Sequence, residues 1–83
     1  MDKNTLYKEI KKIMSDISKI DIPELKNEIK VREEIGIDSL MVMEIITTCE
    51  RKYQIKINED RLNKIETIKD FLELIFNLVN KHA

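Results

Sequence analysis

Turn-forming residues are almost absent from this sequence, which contains one glycine, Gly36, and one proline, Pro23, among 83 residues. Folds built from many short strands need frequent tight turns, and tight turns draw on glycine and proline for their backbone angles. The scarcity therefore argues against an all-β fold and favours long helices. Because a chain of this length supports one shared core, we predict a single domain over residues 1–83.

The composition predicts a folded protein. Hydrophobic residues make up 42% and charged residues 37% of the chain, whereas disordered chains lack the apolar side chains that offset the entropy of ordering. No apolar run approaches the roughly 20 residues that cross a bilayer, and the amino terminus lacks the apolar core of a secretory signal. We therefore expect a cytoplasmic location, and Met1 together with the short carboxyl tail favours a discrete protein.

Cysteine and histidine each occur once, as Cys49 and His82. A lone cysteine excludes an internal disulfide, which fits a reducing compartment, and one histidine leaves no cluster for a structural zinc site.

The net charge is −1, so the chain has no general attraction for nucleic acid. The acidic groups are nevertheless concentrated, because residues 31–50 contain one basic and five acidic side chains. Such a local field attracts basic partners.

Apolar side chains recur at helical spacing in three long segments. The first spans roughly residues 3–18, the second runs from Asp38 to about Tyr53, and the third follows Thr67, an N-cap with Asp70 three residues on. A short helix fits the segment "EDRLNKIET" before it. The predicted fold is an all-α bundle of four helices, three long and one short, with a long first loop. The apolar faces consist of Leu6, Ile10, Ile13 and Ile17; Val42, Ile46, Cys49 and Tyr53; Leu62 and Ile65; and Ile68, Phe71, Leu72, Ile75, Phe76 and Val79.

Two connections lack helical periodicity. The longer one, roughly residues 19–37, contains Pro23, which removes a backbone donor and biases Ile22 away from a helix. A short helical turn within residues 23–30 fits this segment. The shorter one, "QIKINED", alternates like a strand, but without a partner strand we expect an extended link. The side chains expected to hold the long connection on the core are Ile20, Ile22, Leu25, Ile29, Val31 and Ile35.

The second helix separates a buried side from an exposed side. At 100° per residue, Ile45 falls at the edge of the apolar face and Leu40 lies on the opposite side. Asp38 is placed to accept hydrogen bonds from the free amides as the N-cap. Met41 and Met43, beside Leu40, fit core filling and a partner surface equally well. The outward side carries Leu40, Glu44, Thr47 and Arg51, flanked by Met41 and Thr48.

The sequence does not contain the groups that an enzyme of this size would need. Ser39 as a nucleophile requires a general base, and the one histidine, His82, lies at the end of the chain. Glu33 and Glu34 are adjacent loop charges, which are usually solvated and do not act as an acid-base pair. No glycine-rich loop that could hold a phosphate is present. We predict a non-catalytic module, with Cys49 as a small buried core residue.

The segment "GIDSL", Gly36 to Leu40, resembles the signature of acyl carrier proteins and peptidyl carrier proteins. The wider segment "EEIGIDSLMVMEIITTCERKYQIKINEDRLNKIETIKDFLELI" is similar to that family over about half of the chain. The resemblance implies a helical bundle of acyl-carrier type. It also implies that Ser39 accepts 4′-phosphopantetheine from coenzyme A, installed by a phosphopantetheinyl transferase. Cargo then travels as a thioester on this arm, so that Ser39 is modified and not catalytic.

The position of Ser39 is consistent with that role, because a helix N-terminus offers amide donors and a positive dipole end to a phosphate. The family docks its second helix on basic patches of partner enzymes, and it can open its core to shelter an acyl chain. The docking positions so implied are Asp38, Leu40, Glu44 and Glu50, on a surface that Met41, Thr47 and Arg51 share. The implied acyl-pocket positions are Ile45, Ile46, Leu62, Ile65 and Ile68, for which a packed core is an equal explanation.

Two departures from fatty acid carriers bear on the choice of partners. Met41 stands where those carriers usually have an acidic residue, and Arg51 stands where they often have another. Those carriers are also strongly acidic overall, whereas this chain has a net charge of −1. We therefore expect a specialised carrier, of a secondary-metabolite or other dedicated pathway, that holds an acyl, aryl or aminoacyl group. A primary fatty acid carrier, or a helical interaction module without an arm, is the alternative.

The partners that the resemblance implies are all proteins. They are the phosphopantetheinyl transferase, an acyl-loading ligase or acyltransferase, and a ketosynthase or other synthase enzyme. We expect a monomer that has no nucleic acid, membrane or metal as a partner.

Overall fold

The computed structural model describes residues 2–31 and 39–81. The helices are α1 (Lys3–Ser18), α2 (Ser39–Tyr53), α3 (Glu59–Leu62) and α4 (Ile68–Lys81), and a 3₁₀ turn, Ile22–Glu24, follows α1. These bounds confirm the predicted all-α bundle of three long helices and one short one. Residues 54–58 form the expected extended link, and within the described ranges we find no β-strand beyond one isolated bridge between Lys30 and Thr67.

Several predictions fall on residues outside the described ranges. They are the N-cap role of Asp38, the packing of Ile35, the loop charges Glu33 and Glu34, and the position of His82.

Hydrogen bonds cap both ends of helix α1. Asp2 is the N-cap, and its carboxylate accepts a hydrogen bond of 3.3 Å from the Thr5 amide. At the other end Lys19 takes the left-handed conformation, with φ of 65°, and its amide donates to the Ser15 carbonyl at 2.8 Å. Glycine is the most common residue at a helix end with this conformation, but this chain has a lysine there.

The core contains sixteen buried apolar residues, which come from α1, α2, α4 and the segments between helices. Within α1, Met14 is buried, whereas the predicted Ile13 and Ile17 are only partly buried beside it. Within α4, Leu78 is buried and the predicted Phe76 and Val79 lie at the margin. The periodicity therefore identified each helix face, but contacts between helices decided which residues occupy its centre. The buried set is Leu6, Ile10, Met14, Leu25, Val31, Ile45, Ile46, Cys49, Ile55, Ile57, Ile65, Ile68, Phe71, Leu72, Ile75 and Leu78.

The described part of the long connection is held by Leu25 and Val31, which are both buried as predicted. Ile22 was also expected to pack on the core, and this prediction is wrong, because its side chain is 44% exposed. Leu25, whose amide donates to the Ile22 carbonyl at 2.9 Å, takes the core position of this turn instead. One apolar side chain from the turn is enough to fix it to the core.

The end of the same connection is tied to the start of α4 by the backbone. The Ile68 amide donates to the Ile29 carbonyl at 2.9 Å, and the Lys69 amide donates to the Asn27 carbonyl at 3.0 Å. The Val31 amide donates in return to the Glu66 carbonyl at 3.0 Å. The bonds from Ile68 and Lys69 satisfy two amides of α4 that a helix leaves without an intrahelical partner.

The predicted cap of α4 is confirmed as a reciprocal pair of side-chain contacts. The Thr67 hydroxyl accepts from the Asp70 amide at 3.2 Å, and Asp70 Oδ2 accepts from the Thr67 and Glu66 amides at 3.1 Å each. These backbone donors hold the pKa of Asp70 below its ordinary value, because they stabilise the ionised carboxylate.

The carboxyl end of α2 is joined to α1 by a tyrosine and a carboxylate. The Tyr53 hydroxyl donates to Glu9 Oε1 at 2.9 Å, and Lys52 Nζ lies 3.6 Å from the same oxygen. Burial, together with the hydrogen bond to Glu9, raises the pKa of Tyr53 above its ordinary value. The contact links residues 44 positions apart, so it stabilises tertiary structure and not a single helix.

We expect Tyr53→Phe to lower the free energy of unfolding by about 1 kcal/mol, because it removes a hydrogen bond and leaves Glu9 with Lys52 alone. The matched control is Tyr7→Phe, since the Tyr7 hydroxyl is buried and has no hydrogen-bond partner in the described structure. The control is expected to be neutral or stabilising, as its hydroxyl loses no bond. Urea unfolding followed by circular dichroism measures both. Equal losses in the two variants would contradict the role of Tyr53.

Candidate functional site

Ser39 is the first residue of α2, as the sequence predicted. The first amides of a helix lack intrahelical partners, and the dipole places partial positive charge at this end. Arg51 and Lys52 lie in the last turn, where cations complement the opposite end of the dipole. An oxygen-linked phosphate on Ser39 would thus meet a favourable electrostatic environment.

The outward side of α2 presents a mixed apolar and polar surface. Leu40, directly after Ser39, is 70% exposed, and Met43 is 55% exposed. Both are unusual positions for large apolar side chains, because burial of such side chains is normally favourable. Met41 is half-buried at the edge of this surface. The remaining exposed side chains are Glu44, Thr47, Thr48 and Arg51, which the helical projection had placed on this side.

The buried side of α2 is centred on Cys49, with Ile45 and Ile46 on either side of it. Ile45 had been predicted at the edge of the apolar face, but it is as buried as Ile46. Val42 and Tyr53, predicted on the apolar face, are partly buried. The helix is therefore rotated so that Cys49 points most directly at the core, and this rotation turns Leu40 outward.

Glu50 has a structural contact that the sequence did not indicate. Its half-buried carboxylate accepts from the Ile57 amide at 2.8 Å, and its carbonyl accepts from the Ile55 amide at 3.2 Å. These two bonds hold the extended link against the end of α2, while Ile55 and Ile57 are buried. The docking role implied for Glu50 stays a prediction, and the carboxylate is already engaged by the protein itself.

The five implied acyl-pocket residues belong to one apolar cluster. Ile45, Ile46, Ile65 and Ile68 are buried in it, and Leu62 is partly buried against it. Their proximity fits a packed core and a closed cargo pocket equally.

An open groove, which the sequence did not indicate, lies where α3 meets α4. It has a volume of about 280 Å³, and Ile65 forms part of its wall. Its rim is charged, so it is unlike an enclosed apolar pocket. The lining residues are Arg61, Lys64, Ile65, Asp70, Glu73, Leu74 and Asn77.

Cys49 is buried, as predicted, and burial raises the pKa of its thiol to about 12. The thiolate is the reactive form of cysteine, so this side chain is unreactive near neutral pH. Across residues 2–31 and 39–81, we find no group of three histidine, cysteine or acidic side chains able to hold a metal ion. None of the helices in these ranges is both long and apolar enough to cross a membrane.

Comparison with known proteins gives consistent results. Residues 8–75 match the family model described as "Phosphopantetheine attachment site". An acyl carrier protein of Saccharopolyspora erythraea is 26% identical over all of this chain and 87% of its own length. One from a Sulfurovum species is 30% identical over 88% of this chain and 97% of its own, and one from Campylobacter jejuni is 33% identical over 87% and 94%.

We expect the folded, unmodified protein to resist alkylation by iodoacetamide at about pH 8, because Cys49 is both buried and protonated there. After unfolding in guanidinium chloride, the same reagent is expected to label one thiol per chain. Mass spectrometry of the intact protein measures both states, and Cys49→Ala provides the unlabelled control. Rapid labelling of the folded protein would contradict the burial of this thiol.

Proposed function

Because this chain belongs to the phosphopantetheine-attachment family, as an acyl carrier protein, we propose that Ser39 is the residue that bears its 4′-phosphopantetheine arm. Proteins of this kind carry intermediates and do not catalyse their conversion. The observation that most supports Ser39 is its position as the first residue of α2, directly before the exposed Leu40.

The residues around Ser39 fit a phosphopantetheine group. The first amides of a helix lack intrahelical partners, so those of the first turn of α2 can donate to its phosphate. The arm supplies a terminal thiol that holds cargo as a thioester. Since the pKa of Cys49 is raised by burial, the protein's own thiol does not compete with it for cargo.

The outward side of α2 is proposed as the surface that partner enzymes contact. Leu40 and Met43 give it an exposed apolar half near Ser39, and Glu44 and Arg51 give it one charge of each sign. Exposed apolar side chains of this kind mark interaction surfaces. The proposed docking residues are Asp38, Leu40, Met41, Glu44, Thr47, Glu50 and Arg51.

We further propose a specialised pathway in preference to primary fatty acid synthesis. In support, Met41 and Arg51 replace acidic positions of the fatty acid carriers, and Arg51 is exposed on the outward side of α2. The Glu50 carboxylate accepts from the Ile57 amide, so the fold fixes its position at the end of this surface. A strongly basic partner surface would gain little from such a helix.

The other parts of the proposal concern cargo, partners and location. Cargo of an acyl, aryl or aminoacyl kind would be loaded by a ligase or acyltransferase and used by a ketosynthase or other synthase enzyme. An acyl chain could be sheltered where Ile45, Ile46, Leu62, Ile65 and Ile68 meet. We propose that the protein is a monomer with a single domain and that it is located in the cytoplasm.

Incubation with coenzyme A, magnesium and a broad-specificity phosphopantetheinyl transferase is expected to add one arm per chain, as seen by intact-protein mass spectrometry. Ser39→Ala is expected to abolish the addition, because it removes the acceptor hydroxyl. The matched control is Ser15→Ala, which removes a hydroxyl from α1 and is expected to leave modification unchanged. If the folded wild type accepts no arm, the carrier proposal fails and the interaction-module alternative stands.

Weak binding to a ketosynthase of primary fatty acid synthesis is the expected result for the arm-bearing protein. Arg51→Glu is expected to strengthen this binding about fivefold, because it restores an acidic group facing a basic surface. Lys64→Glu makes the same change of charge away from α2 and is the matched control. Isothermal titration at two salt concentrations measures the effect. Tight, salt-sensitive binding of the wild type would contradict the specialised pathway.

A further inference from the structure

A second charged surface lies on α1, apart from the outward side of α2. Lys8, Lys12 and Lys19 point away from the core and are all exposed, and we call these three residues the lysine stripe. At 100° per residue Lys8 and Lys12 lie about 40° apart, opposite the buried Leu6 and Ile10, and Lys19 directly follows the last residue of α1. The three lysines extend over about 16 Å along the helix, at about 1.5 Å per residue. The stripe is therefore a linear array of positive charge.

The acidic groups near the stripe do not neutralise it. Glu9, on the flank of α1, already accepts from Tyr53 at 2.9 Å and lies 3.6 Å from Lys52. Asp16 is exposed and lies four residues after Lys12. An ion pair at this spacing is weaker when the lysine precedes the acidic residue than when it follows it. Within the part of the chain that the structure describes, no ion pair involves the three stripe lysines.

Lys19 adds to this surface, although its backbone conformation is unfavourable for a residue that has a side chain. Its φ of 65° lies in the left-handed region, where a side chain costs about 1 kcal/mol and glycine costs nothing. A lysine there complements the negative end of the α1 dipole, which offsets part of that cost. The same residue places a positive charge just beyond the end of α1, seven positions after Lys12.

The chemistry of α1 decides what the stripe can contact. A helix that inserts at a membrane surface needs apolar side chains beside its cations, but the outer arc of α1 also carries Asn4, Ser15 and Asp16. Nucleic acid is a poor fit, since the chain has a net charge of −1 and the arc lacks aromatic side chains for stacking. The partner that fits the lysine stripe best is a protein surface that presents several carboxylates in a row.

We propose that the lysine stripe is a second docking surface, which binds an acidic face of a partner protein. Exposed lysines are strongly hydrated, so they contribute mainly by attracting and orienting the partner during encounter. The stripe and the outward side of α2 lie on different helices and differ in charge. A partner that recognises one of them therefore differs in chemistry from a partner that recognises the other. This surface does not depend on whether Ser39 carries the arm.

The test titrates the full, isotope-labelled chain with poly-L-glutamate, a defined stand-in for an acidic protein surface, and follows the backbone amides by NMR. We expect the largest shifts within residues 8–19. The triple variant Lys8→Gln, Lys12→Gln and Lys19→Gln is expected to bind roughly tenfold more weakly than the wild type. The control triple variant Lys26→Gln, Lys56→Gln and Lys64→Gln removes the same charge elsewhere and is expected to bind within about twofold of the wild type.

Three outcomes would overturn the proposal. Equal loss of binding in the two triple variants would mean that only net charge matters, and shifts outside α1 would place the contact elsewhere. Tighter binding to phosphatidylglycerol vesicles or to duplex DNA than to poly-L-glutamate would assign the stripe to a different class of partner. Circular dichroism establishes that both triple variants are folded. Addition of the arm at Ser39 is scored separately, so that a failure of the stripe is distinct from a failure of the carrier function.

Discussion

The placement of every functional residue depends on the burial of one side of α2. Ile45, Ile46 and Cys49 enter the shared core, and this fixes the rotation of the helix about its axis. Tyr53 and Glu9 then fix the carboxyl end of α2 against α1. Once rotation and tilt are set, the same helix must present Leu40 to solvent directly after Ser39. A rotation of about 100° would replace each buried position by a neighbouring one, because neighbouring residues are 100° apart.

Scarcity of glycine has a structural consequence at the helix ends. Helices usually end on glycine in a left-handed conformation, but α1 is followed by Lys19 and α2 by Gln54, with φ of 65° and 52°. Each costs about 1 kcal/mol that a glycine would avoid. The tertiary contacts on either side compensate, since the link after Gln54 is held by Glu50 and by the burial of Ile55.

Acidic residues of this protein serve its structure as well as its surface. Glu9 binds Tyr53 and Lys52, Glu50 binds the Ile57 amide, and Asp70 caps α4. Each contact fixes the position of a carboxylate without removing its charge. The carboxylates contribute to the local field of the protein from fixed positions.

The sequence by itself determined the three long helices, the cap of α4, the burial of Cys49 and the outward direction of Leu40 and Glu44. Each of these follows from local periodicity or from residues within one turn of each other. Only the tertiary structure decided that Met14, Ile45 and Leu78 are buried, that Ile22 is exposed, and that Glu9 and Glu50 have structural partners. The reason is that these properties depend on contacts or packing between separate segments, which helical spacing does not encode.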